Sequence, residues 1–164
     1  MTRQEAIQRA EYVGRTLMTQ DFGRIYFLLF TTGKTDTVDF FGTATTRQSN
    51  TYVGDVKCYA NPDFPRTFSQ YPDYMIDYQK LQAICDEAAK DGRTPILVAY
   101  FADCTCVWDL SAFDWTKGND WRWVNKYGVS YGAEKEYQHM AYLHKEDLKY
   151  YEEIDNLTRA QQIA

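Results

Sequence analysis

Asp55 and Lys57 stand two residues apart in Thr51-Tyr-Val-Gly-Asp-Val-Lys-Cys58, a segment whose β-branched and aromatic content reads as a strand. In a strand, residues i and i+2 share a face. The carboxylate and the ammonium therefore point the same way, together with Val53, while Tyr52, Val56 and Cys58 point the other way. An acid beside a lysine can hold a hard divalent cation and steady an attacking water. A second acid, Asp39, lies about one hairpin upstream. Cutting a phosphodiester needs charge neutralised at the phosphate, a nucleophile made from water and help for the leaving oxygen. Asp39, Asp55 and Lys57 supply groups for that chemistry, so metal-dependent phosphodiester cleavage leads the functional readings.

The elements that must position these residues follow from periodicity. Ala6, Ala10, Val13 and Leu17 form a 3.6-residue stripe and predict a helix over Arg3 to Met18. Arg24 to Phe30 and Thr37 to Ala44 read as strands, with a turn at Thr31 to Asp36 between them. A polar loop at Arg47 to Asn50 leads into the third strand, Thr51 to Tyr59. Pro62-Asp63 and Pro72-Asp73 mark an irregular connection. Ile76, Leu81, Ile84 and Ala88 predict a helix from about Tyr74 to Lys90, ended by Asp91-Gly92. Pro95 to Phe101 is the near-continuous apolar run of a strand buried on both faces, and Cys104 to Leu110 reads as a fifth strand. Residues 111–136, with Trp115, Trp121 and Trp123, suggest an irregular excursion. Tyr137 to Leu143 reads as a late strand and Glu146 to Leu157 as a helix. This order predicts a single α/β domain with a mixed central sheet flanked by helices, its core over 3–110 and an aromatic-rich extension over 111–164.

Composition narrows the classes. A chain of 164 residues with 45% hydrophobic and 25% charged residues is expected to fold as one domain. Its net charge of −5 counts against tight nonspecific coating of duplex nucleic acid, although catalytic acids and a bound cation alter the charge of a cleft locally. There is no charged-then-apolar leader and no long apolar run. The expectation is a cytoplasmic protein away from membranes, with Cys58, Cys85, Cys104 and Cys106 as free thiols. Cys104-Thr-Cys106 lacks a second pair at zinc spacing, and His139 and His144 lie far downstream. Nothing supports serine, cysteine or P-loop catalysis.

Element order and acid positions together resemble the PD-(D/E)XK nuclease superfamily, which includes restriction endonucleases, Holliday-junction resolvases and phage nucleases. The resemblance runs from about Arg3 to Leu110. It rests on Val38-Asp39, on Gly54-Asp55-Val56-Lys57, on Tyr78-Gln79-Lys80-Leu81 and on Gly92-Arg-Thr-Pro95-Ile-Leu-Val. Val38 stands where the family usually has proline, and Asp55 where glutamate is more common. Asp147-Leu-Lys149 repeats the tripeptide, but within a predicted helix, where i and i+2 diverge.

The resemblance implies a restriction-endonuclease-like fold and a Mg²⁺ ion, with Mn²⁺ as substitute. Asp39, Asp55 and the Val56 carbonyl would be its ligands, and Lys57 would orient the water and offset developing charge. It also implies that Gln79 or Lys80 lines the site and that a first-helix acid, Glu11 or Glu5, contributes. The substrate would be DNA, and a homodimer would follow if paired cuts are made. Asp36, in the turn, is a weaker rival to Asp39. The tryptophans read as buried anchors ahead of a platform for unpaired bases. Two rivals stand beside the nuclease: a non-catalytic binding protein on the same scaffold, and a hydrolase of small phosphate esters.

Overall fold

The computed structural model describes residues 2–32, 37–44, 51–70, 73–125 and 134–163. Helix α1 spans Arg3–Phe22. Thr2 caps it by accepting the Glu5 N–H at 3.2 Å, while the Glu5 carboxylate accepts the Thr2 N–H at 2.6 Å. Strands β1 (Tyr26–Phe30), β2 (Phe40–Ala44) and β3 (Thr51–Cys58) form an antiparallel meander. Next come β4 (Asp73–Asp77), α2 (Tyr78–Lys90), β5 (Thr94–Tyr100) and β6 (Cys104–Asp109). The chain ends with β7 (Asn119–Asn125), β8 (Lys135–His144), β9 (Leu148–Glu153) and α3 (Asn156–Ile163).

The protein is α/β, with a mixed six-stranded sheet ordered β1-β2-β3-β5-β6-β9 and a three-stranded sheet ordered β4-β8-β7. Only the β3–β5 pair is parallel among the described ladders. A parallel pair needs a crossover, and here the crossover carries β4 and α2. One face of the large sheet buries Val56, Val98, Tyr100 and Val107 beneath Val13 and Leu17 of α1 and Ala160 of α3. The other buries Val53, Leu97, Ala99 and Trp108 against Leu81 and Ile84 of α2 and Ala141 and Leu143 of β8. Both faces of β5 are thus covered, as its apolar run requires.

Three expectations are corrected. The helix expected from Tyr74 starts at Tyr78, because the Asp77 side chain caps it by accepting the Lys80 N–H at 3.1 Å. The preceding five residues form β4, with Tyr74 and Ile76 turned into the core. Within 111–136, residues 119–125 are strand β7 rather than irregular chain. The helix expected over Glu146 to Leu157 is instead a short 3-10 turn, then β9, then the start of α3. Pairing with β6 holds β9 extended despite its helix-compatible residues, and Asp147-Leu-Lys149 accordingly straddles a turn and a strand. The loop at Arg47 to Asn50, and Asp36 with most of its turn, lie outside the described residues. No described helix is long and apolar enough to cross a membrane.

Candidate active site

The alternation along β3 holds as read. Val56 packs under α1, whereas Val53 and Asp55 face the α2 side. Asp55 has no solvent exposure at all. Next to it, Gly54 meets β5 so closely that a Cβ would stand 1.8 Å from the Ile96 carbonyl oxygen. Only glycine permits that approach, and it fixes where Asp55 emerges from the sheet.

Asp39 sits immediately before β2 and opposite Asp55. Its N–H donates to the Asp55 Oδ1 at 3.2 Å, and its own Oδ2 accepts the Val56 N–H at 3.1 Å. The two carboxylates are therefore fixed through one another's strands. The Val56 carbonyl faces the same side as its N–H, because both groups of one residue point together in an extended chain. Asp39, Asp55 and the Val56 carbonyl are gathered at one margin of the sheet.

Two lysines complete the group. The Lys57 Nζ lies 3.7 Å from the Asp55 Oδ2, and the Lys80 Nζ, from the first turn of α2, lies 3.3 Å from the same oxygen. Lys80 also donates to the Thr37 carbonyl at 2.6 Å, which ties α2 to the segment leading into Asp39. The buried Asp55 Oδ2 has no hydrogen-bond partner among the described residues. Burial dominates the Asp55 carboxyl and pushes its pKa up. The Lys57 charge opposes that shift, the Asp39 charge adds to it, and Lys80 again opposes it. For Lys57, burial works against the charged form, but Asp55, Asp39, Tyr59 and Glu11 outweigh it and raise the pKa. Lys57 is thus an ammonium at neutral pH and cannot serve as a base there.

The remaining expected residues divide. Glu11 is exposed on α1 and lies within electrostatic reach of Lys57, whereas Glu5 is engaged in its helix cap. Gln79 points to solvent and makes no described hydrogen bond to the group, so Lys80 is the residue of that pair brought to Asp55. Tyr59 and Tyr74 also belong to this neighbourhood. Their hydroxyls are 2.6 Å apart, and Tyr74 is held well above the usual tyrosine range by burial first, then by Tyr59 and the Asp55 charge. The parity of β3 carries on from Asp55 and Lys57 to Tyr59, a signal that pattern reading could have used. Tyr74 had no such signal, because its strand was read as helix.

A hard cation needs oxygen ligands, and two carboxylates plus a carbonyl suit Mg²⁺, which keeps several waters. The buried Asp55 Oδ2, which Lys57 and Lys80 pair by charge without a well-directed hydrogen bond, fits that demand. No cluster of three or more His, Cys, Asp or Glu side chains forms a ligand set among the described residues. No family model, curated protein or solved structure matches this chain.

Proposed function

We propose that the protein is a Mg²⁺-dependent nuclease of the PD-(D/E)XK type that hydrolyses phosphodiester bonds in DNA. The observation that carries this reading is the convergence of Asp39, Asp55, Lys57 and Lys80 at one sheet margin, with a buried Asp55 oxygen lacking a hydrogen-bond partner. An α1–meander–crossover–β5 order around that margin supports a restriction-endonuclease-like scaffold.

Asp39, Asp55 and the Val56 carbonyl would hold the ion, which when bound supplies a Lewis acid at the phosphate. Lys57 donates to the attacking water or to a non-bridging phosphate oxygen and offsets the charge that builds there. Lys80 opposes by its own charge the burial that favours the protonated Asp55 carboxyl, and it fixes the start of α2. In the reaction the water oxygen bonds to phosphorus and the ester P–O bond breaks. The water proton passes to solvent or to a phosphate oxygen, the leaving oxygen departs as an alcohol by taking a proton from solvent water, and Lys57 stays protonated throughout.

The test is cleavage of end-labelled duplex, single-stranded and branched DNA with Mg²⁺ or Mn²⁺, for the parent chain and for Asp55→Asn and Lys57→Ala. Metal-dependent cutting by the parent chain that both variants lose is the expected result. Cutting that persists in Asp55→Asn overturns the assignment.

A further inference from the structure

The small sheet presents a row of aromatic rings that begins in the packed body of the protein and runs out to solvent. Residues of one parity on β7 face residues of the same side on β8, with Trp121 opposite His139 and Trp123 opposite Tyr137. Further along β8 this side carries Ala141 and Leu143 into the core. Toward the far ends of the two strands its described residues Trp123 and Tyr137 are exposed. The rings follow one another in sequence. Tyr78, at the start of α2, stacks on His139 with centroids 3.9 Å apart and planes 15° apart. His139 stacks on Trp121 at 5.1 Å and 12°, then Trp121 meets Tyr137 at 5.7 Å and 30°, and Tyr137 meets Trp123 at 5.4 Å. Trp121, Trp123 and Tyr137 are 57%, 65% and 53% exposed. The expectation of buried anchors therefore fails for Trp121 and Trp123. Three large rings left this open to water mark the row as a surface for a partner.

Charge selects the partner. In a chain of net charge −5, the ring-bearing side of β7 and β8 carries no carboxylate among its described residues, and Lys135 lies on it beside Tyr137. The acids of these strands, Asp120 and Glu136, fall on the opposite side by parity. His139 is covered on both faces by Tyr78 and Trp121, so the surface open to a partner is that of Trp121, Tyr137 and Trp123. Exposed rings with a cation at the edge suit bases and their phosphates. The bases of an intact duplex are stacked on each other and cannot offer those faces. The row also begins at Tyr78, two residues from the Lys80 that reaches Asp55.

We propose that Trp121, Tyr137 and Trp123, backed by the Tyr78–His139 stack, form a stacking platform for unpaired bases, and that the substrate of the adjoining site is a nucleic acid with a single-stranded segment. The substrate assignment rests on the nuclease reading; the platform does not. Stacking of a base on an aromatic side chain corresponds to about a 5- to 150-fold change in affinity per ring.

The experiment is fluorescence anisotropy with a short labelled oligothymidine, in EDTA so that no cleavage can occur, on the full chain and on Trp121→Ala, Trp123→Ala, Trp123→Phe and Tyr12→Ala. Thermal melting of each variant accompanies it. The expected result is binding of the single strand in preference to a blunt duplex, weakened by each tryptophan-to-alanine change within that range. Trp123→Phe should retain part of the affinity and Tyr12→Ala, an exposed aromatic on α1 outside the row, all of it. If that pattern appears with no DNA cleavage under Mg²⁺, the platform stands and the nuclease reading falls. Equal binding by the parent chain and by correctly melting tryptophan variants overturns the platform. So does a preference for the blunt duplex, or ring-dependent capture of a β-glucan oligosaccharide in place of the oligonucleotide.

Discussion

Lys80 on α2 and Asp55 on β3 meet at 3.3 Å across the crossover that joins β3 to β5. Asp55 is wholly buried and its pKa is raised chiefly by that burial, so at neutral pH the cation-free protein bears the cost of an ionised or awkwardly protonated carboxyl.

Asp55→Asn removes that cost and keeps an oxygen to accept the Asp39 N–H. A folded-state pKa above the unfolded one contributes stability below the unfolded value and loses it as pH rises through the folded value. At neutral pH and without metal, the variant should therefore be more stable than the parent, by about 0.5–2 kcal/mol in urea unfolding. Mg²⁺ or Mn²⁺ should raise the melting temperature of the parent chain only. Cleavage should fall by more than the roughly 100-fold typical of a lost outer partner.

A cation binds the ionised form of the Asp55 carboxyl, whose pKa burial raises. Affinity for Mn²⁺, measured by calorimetry, should weaken as pH falls through the raised pKa of Asp55, with proton uptake by buffer on binding. Lys80→Met removes one of the charges that oppose the rise. Its affinity profile should move to higher pH, while Lys57 still carries its proton. An unmoved profile would show that Lys80 leaves Asp55 unaffected.

Gly54→Ala places a methyl against the Ile96 carbonyl, which is backbone and cannot yield as a side chain does. Strand β3 must shift from β5, at a cost of about 3 kcal/mol in chemical unfolding. Because Asp55 is the next residue, cleavage should drop by about 100-fold even where the variant is folded.

Asn156 opens α3 and is fully buried. Its Nδ2 lies 3.0 Å from the Phe101 carbonyl, the Cys104 carbonyl and the Thr105 hydroxyl. Asn156→Ala strands those acceptors away from water and should destabilise the fold by about 3 kcal/mol, measured by denaturant unfolding.

Much of this site was legible because it depends on parity. Asp55, Lys57 and the opposed Asp39 follow from alternation and one hairpin, and the apolar run of β5 announced burial on both faces. The extent of α2 was less readable, since Tyr74 and Ile76 fit a helical stripe and a strand equally well. Alternation of Trp121 and Trp123 with Asp120 and Arg122 was a strand signal masked by the surrounding Gly, Asn and Lys residues. Strand β9 had no local signal, because Leu148 to Glu153 is extended only through its ladder with β6. The opposition of Lys80 to Asp55 depends on where the crossover lands, which no local pattern encodes.

Strand β4 is encoded inside the β3–β5 crossover, yet its ladder partner β8 comes from the last third of the chain. The late segment is consequently stitched into the body at β4 and again at β6, through β9. Truncating at residue 110 would strip neighbours from Tyr74, Ile76 and Trp108 rather than release an appendage. Any transfer of the β7–β8 ring row onto another scaffold would have to carry the intervening helix with it, so the row and the Asp55 margin travel as one inherited piece.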